Sequence, residues 1–165
     1  MCGSTPVTAR ASCARRASRR WCRVSLLSFD SQRYRLLAWV VMPNHVHVLV
    51  QPIGGWTVAK IVAAWKKFTA RKIFDARRDR GGEPGSPVWH REYWDRFIRN
   101  QRHLEQVIEY IHLNPVKAGI AATADSWRWS SAYSGVVSIA EAQDYAEDHA
   151  NREIGVPGGS RAARS

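Results

Sequence analysis

The chain has 165 residues, is 45% hydrophobic and carries eight Trp, enough for one domain with a core of its own and too much apolar content for a wholly disordered polymer. A net charge of +11 and a pI near 10.3 point to a polyanionic partner, nucleic acid ahead of an anionic membrane surface. No run approaches the roughly 18 apolar residues of a membrane span. The three cysteines (Cys2, Cys13, Cys22) form no CxxC and are odd in number, which argues against a disulfide framework.

The charge is uneven. Residues 1–23 hold six arginines (10, 15, 16, 19, 20 and 23) and no acid, while the rest carries 19 basic against 14 acidic residues. Rich in Arg, Ser and Ala, residues 1–26 read as a disordered basic leader, superficially like a transit peptide, and without the apolar centre of a secretory signal. Such a leader is expected to act as a flexible arm on a nucleic-acid backbone. Next come two β-rich runs, 33–41 (RYRLLAWVV) and 45–51 (HVHVLVQ), joined by the turn chemistry of Met42-Pro43-Asn44. Thr57 is placed to cap a helix whose apolar stripe is Val58, Ile61, Val62, Trp65 and Phe68, with Lys66, Lys67, Arg71 and Lys72 toward its other side. GGEPGSP (81–87) breaks the pattern, and an aromatic, basic stretch, VWHREYWDRFIRN, follows. A second helix is expected over 101–113, with Leu104, Val107, Ile108 and Ile111 in register and Pro115 ending it. Residues 139–165 read as an acidic, helix-compatible segment with a frayed tail. The division expected is therefore a leader over 1–26, a folded domain over 27–138 and that segment.

Within the second β run, His45, His47 and Leu49 share one face of the strand and Val46, Val48 and Val50 the other. Positions i and i+2 lie about 7 Å apart, so two imidazoles can converge on one cation; a pair of core or surface histidines is the plainer alternative. A third ligand must come from elsewhere. Tyr110 and Asn114 lie four apart on one face of the second helix, beside its apolar stripe. An amide oxygen suits a hard cation such as Mg2+ or Mn2+, and a phenol one turn away can act as a nucleophile or be an ordinary boundary tyrosine.

Four segments in order, MPNHVHVLV, REYWDRFIR, EYIHLNPVKAGI and WRWSSAYS, resemble the REP-associated tyrosine transposases, a branch of the IS200-like single-tyrosine HUH transposases, where HUH denotes His, a hydrophobic residue and His. The resemblance spans roughly residues 29–134. It implies an α+β fold, an antiparallel sheet flanked by helices (ferredoxin-like), with His45 and His47 as metal ligands, Tyr110 as nucleophile and Asn114 as third ligand. It also implies Mg2+ or Mn2+ as cofactor. The partner would be single-stranded DNA with a hairpin, a repetitive palindromic element, acted on in a bacterial cytoplasm at the nucleoid by a monomer or homodimer. Relatives begin with a strand and a helix ahead of the segment that here starts near Leu27, so the N-terminal strand is expected to be missing or atypical.

The chemistry implied is attack of Tyr110 on a phosphodiester to give a 5′-phosphotyrosine and a free 3′-hydroxyl. Arg91, Arg96, Arg99 and Arg102, with Lys66, Lys67, Arg71 and Lys72, are the candidate phosphate contacts. Trp89, Tyr93 and Trp94 suit base stacking or core packing. Two other classes compete: a metal hydrolase of the amidohydrolase kind, which needs about 250 residues and more ligands, and a catalytically inactive relic that only binds DNA.

Overall fold

The computed structural model describes residues 3–11, 16–79, 81 and 87–135. Among these, four strands form one antiparallel sheet: β1 (Thr5–Ala11), β2 (Tyr34–Val41), β3 (His45–Pro52) and β4 (Trp89–Asp95), in the order β2-β3-β1-β4. Helices α1 (Arg16–Leu27) and α2 (Val58–Arg78) pack on one face and α3 (Gln101–Lys117) on the other. The α+β class and the antiparallel sheet expected from the sequence are both present. No helix among the described residues is long and apolar enough to cross a membrane.

The period of two in the strands decides which face is which. Val46, Val48 and Val50 of β3, with Val7 of β1 and Trp39 and Val41 of β2, join Ile61, Val62 and Trp65 of α2 and Cys22 and Leu26 of α1 in the larger core. The alternate residues Ala38, Val40, Met42 and Leu49 meet Ile111 of α3 on the opposite face. Thr57 caps α2 as its sequence predicts, its hydroxyl accepting the Lys60 N–H at 3.4 Å.

The leader is where the sequence reading fails. TPVTARA is not an arm but β1, paired with β3 on one side and β4 on the other. Trp21–Leu27, also inside the expected leader, lies within α1. The composition hid a weak alternation: Thr5, Val7 and Ala9 are buried, while Pro6, Thr8 and Arg10 alternate with them. A strand held by ladders on both edges needs little side-chain volume to stay in place. In α1, Ser18, Cys22, Ser25 and Leu26 are buried at i, i+4, i+7 and i+8. Ser25 and Ser28 donate their hydroxyls to the Cys22 and Val24 carbonyls, which makes those polar groups compatible with burial. Two arginines of α1 lie against rings: Arg19 is 5.7 Å from the centroids of both Trp127 and Trp129, and Arg23 is 6.0 Å from that of Trp39.

Pro115 does not end α3, which runs to Lys117 with Pro115 buried inside it. Proline there costs one bond to the Ile111 carbonyl, but the terminator is Gly119, at φ +67°. The Gly119 and Ile120 N–H groups donate back to the Val116 and Pro115 carbonyls at 2.9 and 3.0 Å, the double bond pattern of a left-handed helix stop. Beyond it, Val41 and Ser131 donate to the Trp129 and Trp39 carbonyls at 2.7 and 2.9 Å, so this segment covers part of the outer edge of β2. The acidic segment expected over 139–165 lies outside the described residues.

Candidate active site

His45 and His47 point to the α3 face, as their spacing predicts. Their ring centroids are 4.6 Å apart, and the Tyr110 ring of α3 stands edge-on to His47 at 5.5 Å. The structure therefore brings together the two histidines and the tyrosine from a strand and a facing helix. Tyr110 is 47% exposed, with the Lys117 ammonium 5.2 Å from its ring centroid. Tyr34 is the opposite case: fully buried, it accepts from Trp65 Nε1 at 2.9 Å and donates to the Leu26 carbonyl at 2.7 Å, and burial pushes its phenol up to about 12. Only Tyr110 of the two has a hydroxyl that a substrate can reach.

Each imidazole has its Nδ1 engaged. His45 Nδ1 lies 2.6 Å from Asn44 Oδ1, an acceptor only, and so donates to it. His47 Nδ1 and the Thr8 hydroxyl are hydrogen-bonded at 2.8 Å. That leaves Nε2 of His45 with the lone pair for a ligand, and Nε2 of His47 likewise when its Nδ1 donates to the Thr8 hydroxyl, the arrangement in which a second partner fixes the tautomer of a metal-binding histidine. Burial, and after it His45, lowers His47 to about 4; burial, and after it Arg10, lowers His45. Both are held neutral, the form that binds metal. Asn114 donates Nδ2 to the Tyr110 carbonyl at 2.7 Å, which leaves its Oδ1 as the available ligand atom but gives it no contact with either imidazole. No group of three His, Cys, Asp or Glu placed to hold a metal occurs among the described residues. Two imidazoles and one amide oxygen are a donor set compatible with a divalent cation whose remaining positions are filled by water or phosphate oxygens.

Two residues of this site belong to β1 and went unseen in the leader. Thr8 pairs with His47 and Arg10 with His45 in the strand register, which puts both on the histidine face. Their signal was the same weak alternation that marks the strand.

The expected phosphate contacts divide. Lys66 is committed to structure: its ammonium donates to the carbonyls of His90, Arg91 and Glu92 at 2.9, 3.2 and 3.3 Å, and burial lowers its pKa. Lys72 lies 4.8 Å from the Trp21 ring centroid. Lys67 and Arg71 are exposed on α2, and the whole helix packs on the sheet face away from the histidines. On the histidine side, a cleft of about 480 Å3 between β1, β4 and α3 is lined by His47, Tyr110, Trp94 and Arg96. It shares Arg96 and His103 with an open depression of about 850 Å3 that Arg99 and Arg102 also line. Arg91 is exposed but does not line the cleft. Trp89 and Tyr93 pack against the larger core, whereas Trp94 is 71% exposed.

Comparison with known proteins agrees with this geometry. The family described as "Transposase IS200 like" matches residues 15–114, a span that includes His45, His47, Tyr110 and Asn114. A Haemophilus influenzae protein assigned to the REP-associated tyrosine transposases is 30% identical over 122 residues, covering 70% of this chain and 66% of that protein. The REP-associated tyrosine transposase of Escherichia coli is 25% identical over 119 residues, covering 70% and 64%. The chain thus spans just under two thirds of the length of these relatives. A solved REP-associated tyrosine transposase bound to a REP hairpin superimposes with a TM-score of 0.61 at 23% identity, over 79% of this chain and 76% of that one, a likeness of fold. By the family match over more than half its length, together with the fold and the histidine–tyrosine arrangement, this chain belongs to the IS200-like transposase family.

Proposed function

We propose that this chain cleaves and rejoins single-stranded DNA next to a hairpin, with Tyr110 as the covalent nucleophile and His45, His47 and Asn114 as ligands of Mg2+ or Mn2+. The observation that carries the reading is the exposed Tyr110 ring 5.5 Å from His47, on a helix that faces the histidine pair. The solved relative with a REP hairpin supports a hairpin-bearing partner. A bound cation would polarise the scissile phosphodiester and offset charge developing on its oxygens. His45 and His47 would present two neutral imidazoles to it, oriented by Asn44 and Thr8.

Tyr110 forms its phenolic oxygen–phosphorus bond as the bond from phosphorus to the 3′-oxygen breaks. The phenol gives its proton to water, and the departing oxygen takes one from water to become a 3′-hydroxyl. The DNA remains on Tyr110 as a 5′-phosphotyrosine, an ester that a second 3′-hydroxyl can attack to restore a phosphodiester without ATP. In-line attack requires a backbone free to bend, hence an unpaired strand. The reading as an inactive relic rested on an absent N-terminal strand; β1 occupies the sheet between β3 and β4, and no observation favours it. The test is incubation with labelled hairpin-bearing single-stranded DNA and Mg2+ or Mn2+, followed by denaturing electrophoresis. A covalent band that is lost in Tyr110→Phe and in excess EDTA is expected, with DNA affinity of the variant within about threefold because only a hydroxyl is removed. Peptide mapping of the DNA to Tyr93 or Tyr133, or full cleavage under chelation, would overturn the assignment.

A further inference from the structure

Trp94 and Phe97 are 71% and 75% exposed, the largest exposures among the large apolar side chains described. Exposed aromatics of this size call for an occupant. Their place in the fold says which one. In the sheet register Trp94 pairs with Thr8, and Thr8 pairs with His47, so Trp94 stands two strand spacings, about 10 Å, from the metal-ligand histidine on the same face. Trp94 lines the same cleft as His47 and Tyr110, and Phe97 lines the depression that shares Arg96 and His103 with it. Arg96, Arg99 and Arg102 border the same path, against one acid, Asp95. The backbone on both sides of Phe97 is held: Arg96 and Ile98 donate to the Pro6 and Ser4 carbonyls at 3.3 and 3.0 Å, extending the β1 ladder. Aromatic faces beside guanidinium groups on a rigid backbone, continuous with a phosphodiester site, match an unpaired strand whose bases stack while its phosphates are neutralised. A protein partner would find the apolar rings but no use for the row of arginines.

We propose that Trp94 and Phe97 are a base-stacking platform that seats the unpaired nucleotides next to the phosphate cleaved at Tyr110. This rests on the DNA-strand reading above but not on its chemistry, since stacking needs no covalent step. The test uses the full chain and fluorescence anisotropy with a labelled 12-nucleotide single strand, compared with the same strand carrying abasic sites throughout. Trp94→Ala is expected to weaken the normal strand about tenfold, as expected for the loss of one base–aromatic stack, and to leave the abasic strand unchanged. Trp94→Phe should restore most of the loss, and Phe97→Ala should act in the same direction. The salt dependence should be unaltered in these variants, while Arg96→Ala with Arg99→Ala lowers the log–log slope by about 1.4, roughly 0.7 per phosphate on a single strand. Both aromatics are exposed, so the thermal midpoint of each variant should stay within about 2 °C.

Equal binding of normal and abasic strands by the wild-type chain would overturn the proposal. So would equal losses on both strands in Trp94→Ala, or a variant whose only change is its oligomeric state, which would make the patch a contact between copies of the chain. Loss of the Tyr110 adduct with stacking intact would sink the chemistry and leave the platform standing.

Discussion

The two faces of the sheet are built from the same strands by opposite rules. On the α1–α2 side, Val7, Val46, Val48 and Val50 bury themselves against Ile61, Val62 and Trp65. On the α3 side, Leu49 joins Ala38, Val40 and Met42 against Ile111 in a smaller core, but the neighbouring positions of β1 and β3 are Thr8, Arg10, His45 and His47, and the Tyr110 of α3 reaches the same ground half exposed. One strand thus contributes a dry surface and a chemical one, and the period of two keeps them apart. The division separates the larger core from the proposed site. Substitutions of the core valines on the first side should cost stability, and those of His45, His47 and Tyr110 on the second should cost function.

The largest break in that comparison comes from β1, which serves both faces. Deleting residues 1–11 removes the strand between β3 and β4, and the remainder should show no cooperative thermal transition by circular dichroism; a melt within a few degrees of the full chain would mean that β1 is dispensable. A sharper cut compares one residue from each side in urea. Ile61→Ala, at a site 1% exposed in the dry core, should lose about 2–5 kcal/mol through burial forgone and the cavity left. His45→Ala should lose no more than about 1 kcal/mol while the covalent adduct disappears. Equal losses from the two would erase the distinction.

A third contrast is a dependence on acid, measured in chelator so that no cation competes. The pKa of His47 falls to about 4 in the fold, against about 6.5 in the unfolded chain. The unfolded chain therefore takes up the proton first, so stability is fully present above about pH 6.5 and declines as pH falls toward 4. The shift corresponds to a contribution on the order of 3 kcal/mol at most. His45 and His112, both lowered by burial, act in the same direction. Urea midpoints that stay level from pH 7 to pH 4.5 would show that the His47 face is wet enough to charge freely.

What could be read in the sequence follows the same physics. The β2–β3 hairpin, the Thr57 cap, the facing of the two histidines and the placing of Tyr110 and Asn114 one turn apart were legible because each rests on a strong period or a specific residue type. β1 was not, because Thr5, Val7 and Ala9 alternate too mildly to outweigh the arginines around them, and its place in the sheet depends on partners far along the chain. Thr8 and Arg10 were lost with it. Pro115 drew attention from Gly119, whose left-handed conformation is the real stop. Lys66 looked like a free cation because nothing in the local pattern reveals three backbone carbonyls from β4. Trp94 and its neighbours Trp89 and Tyr93 differ only in which side of a strand they occupy, and that was settled by register with β1.

The position of β1 also sets a timetable. It is made before either strand it pairs with, and Thr8 cannot meet Trp94 until the ribosome has delivered the chain through β4. At about 5–20 residues per second that wait is on the order of ten seconds. During it, an extended segment with open backbone groups is exposed to other chains, the condition under which strands pair wrongly. A strand rich in Val and Ile would be a hazard in that interval. TPVTARA, with two threonines, a proline and an arginine among its seven residues, is poorly suited to sticking to anything until two ladders close on it together. The mild composition that lets β1 pass for a tail is thus the property that lets it wait.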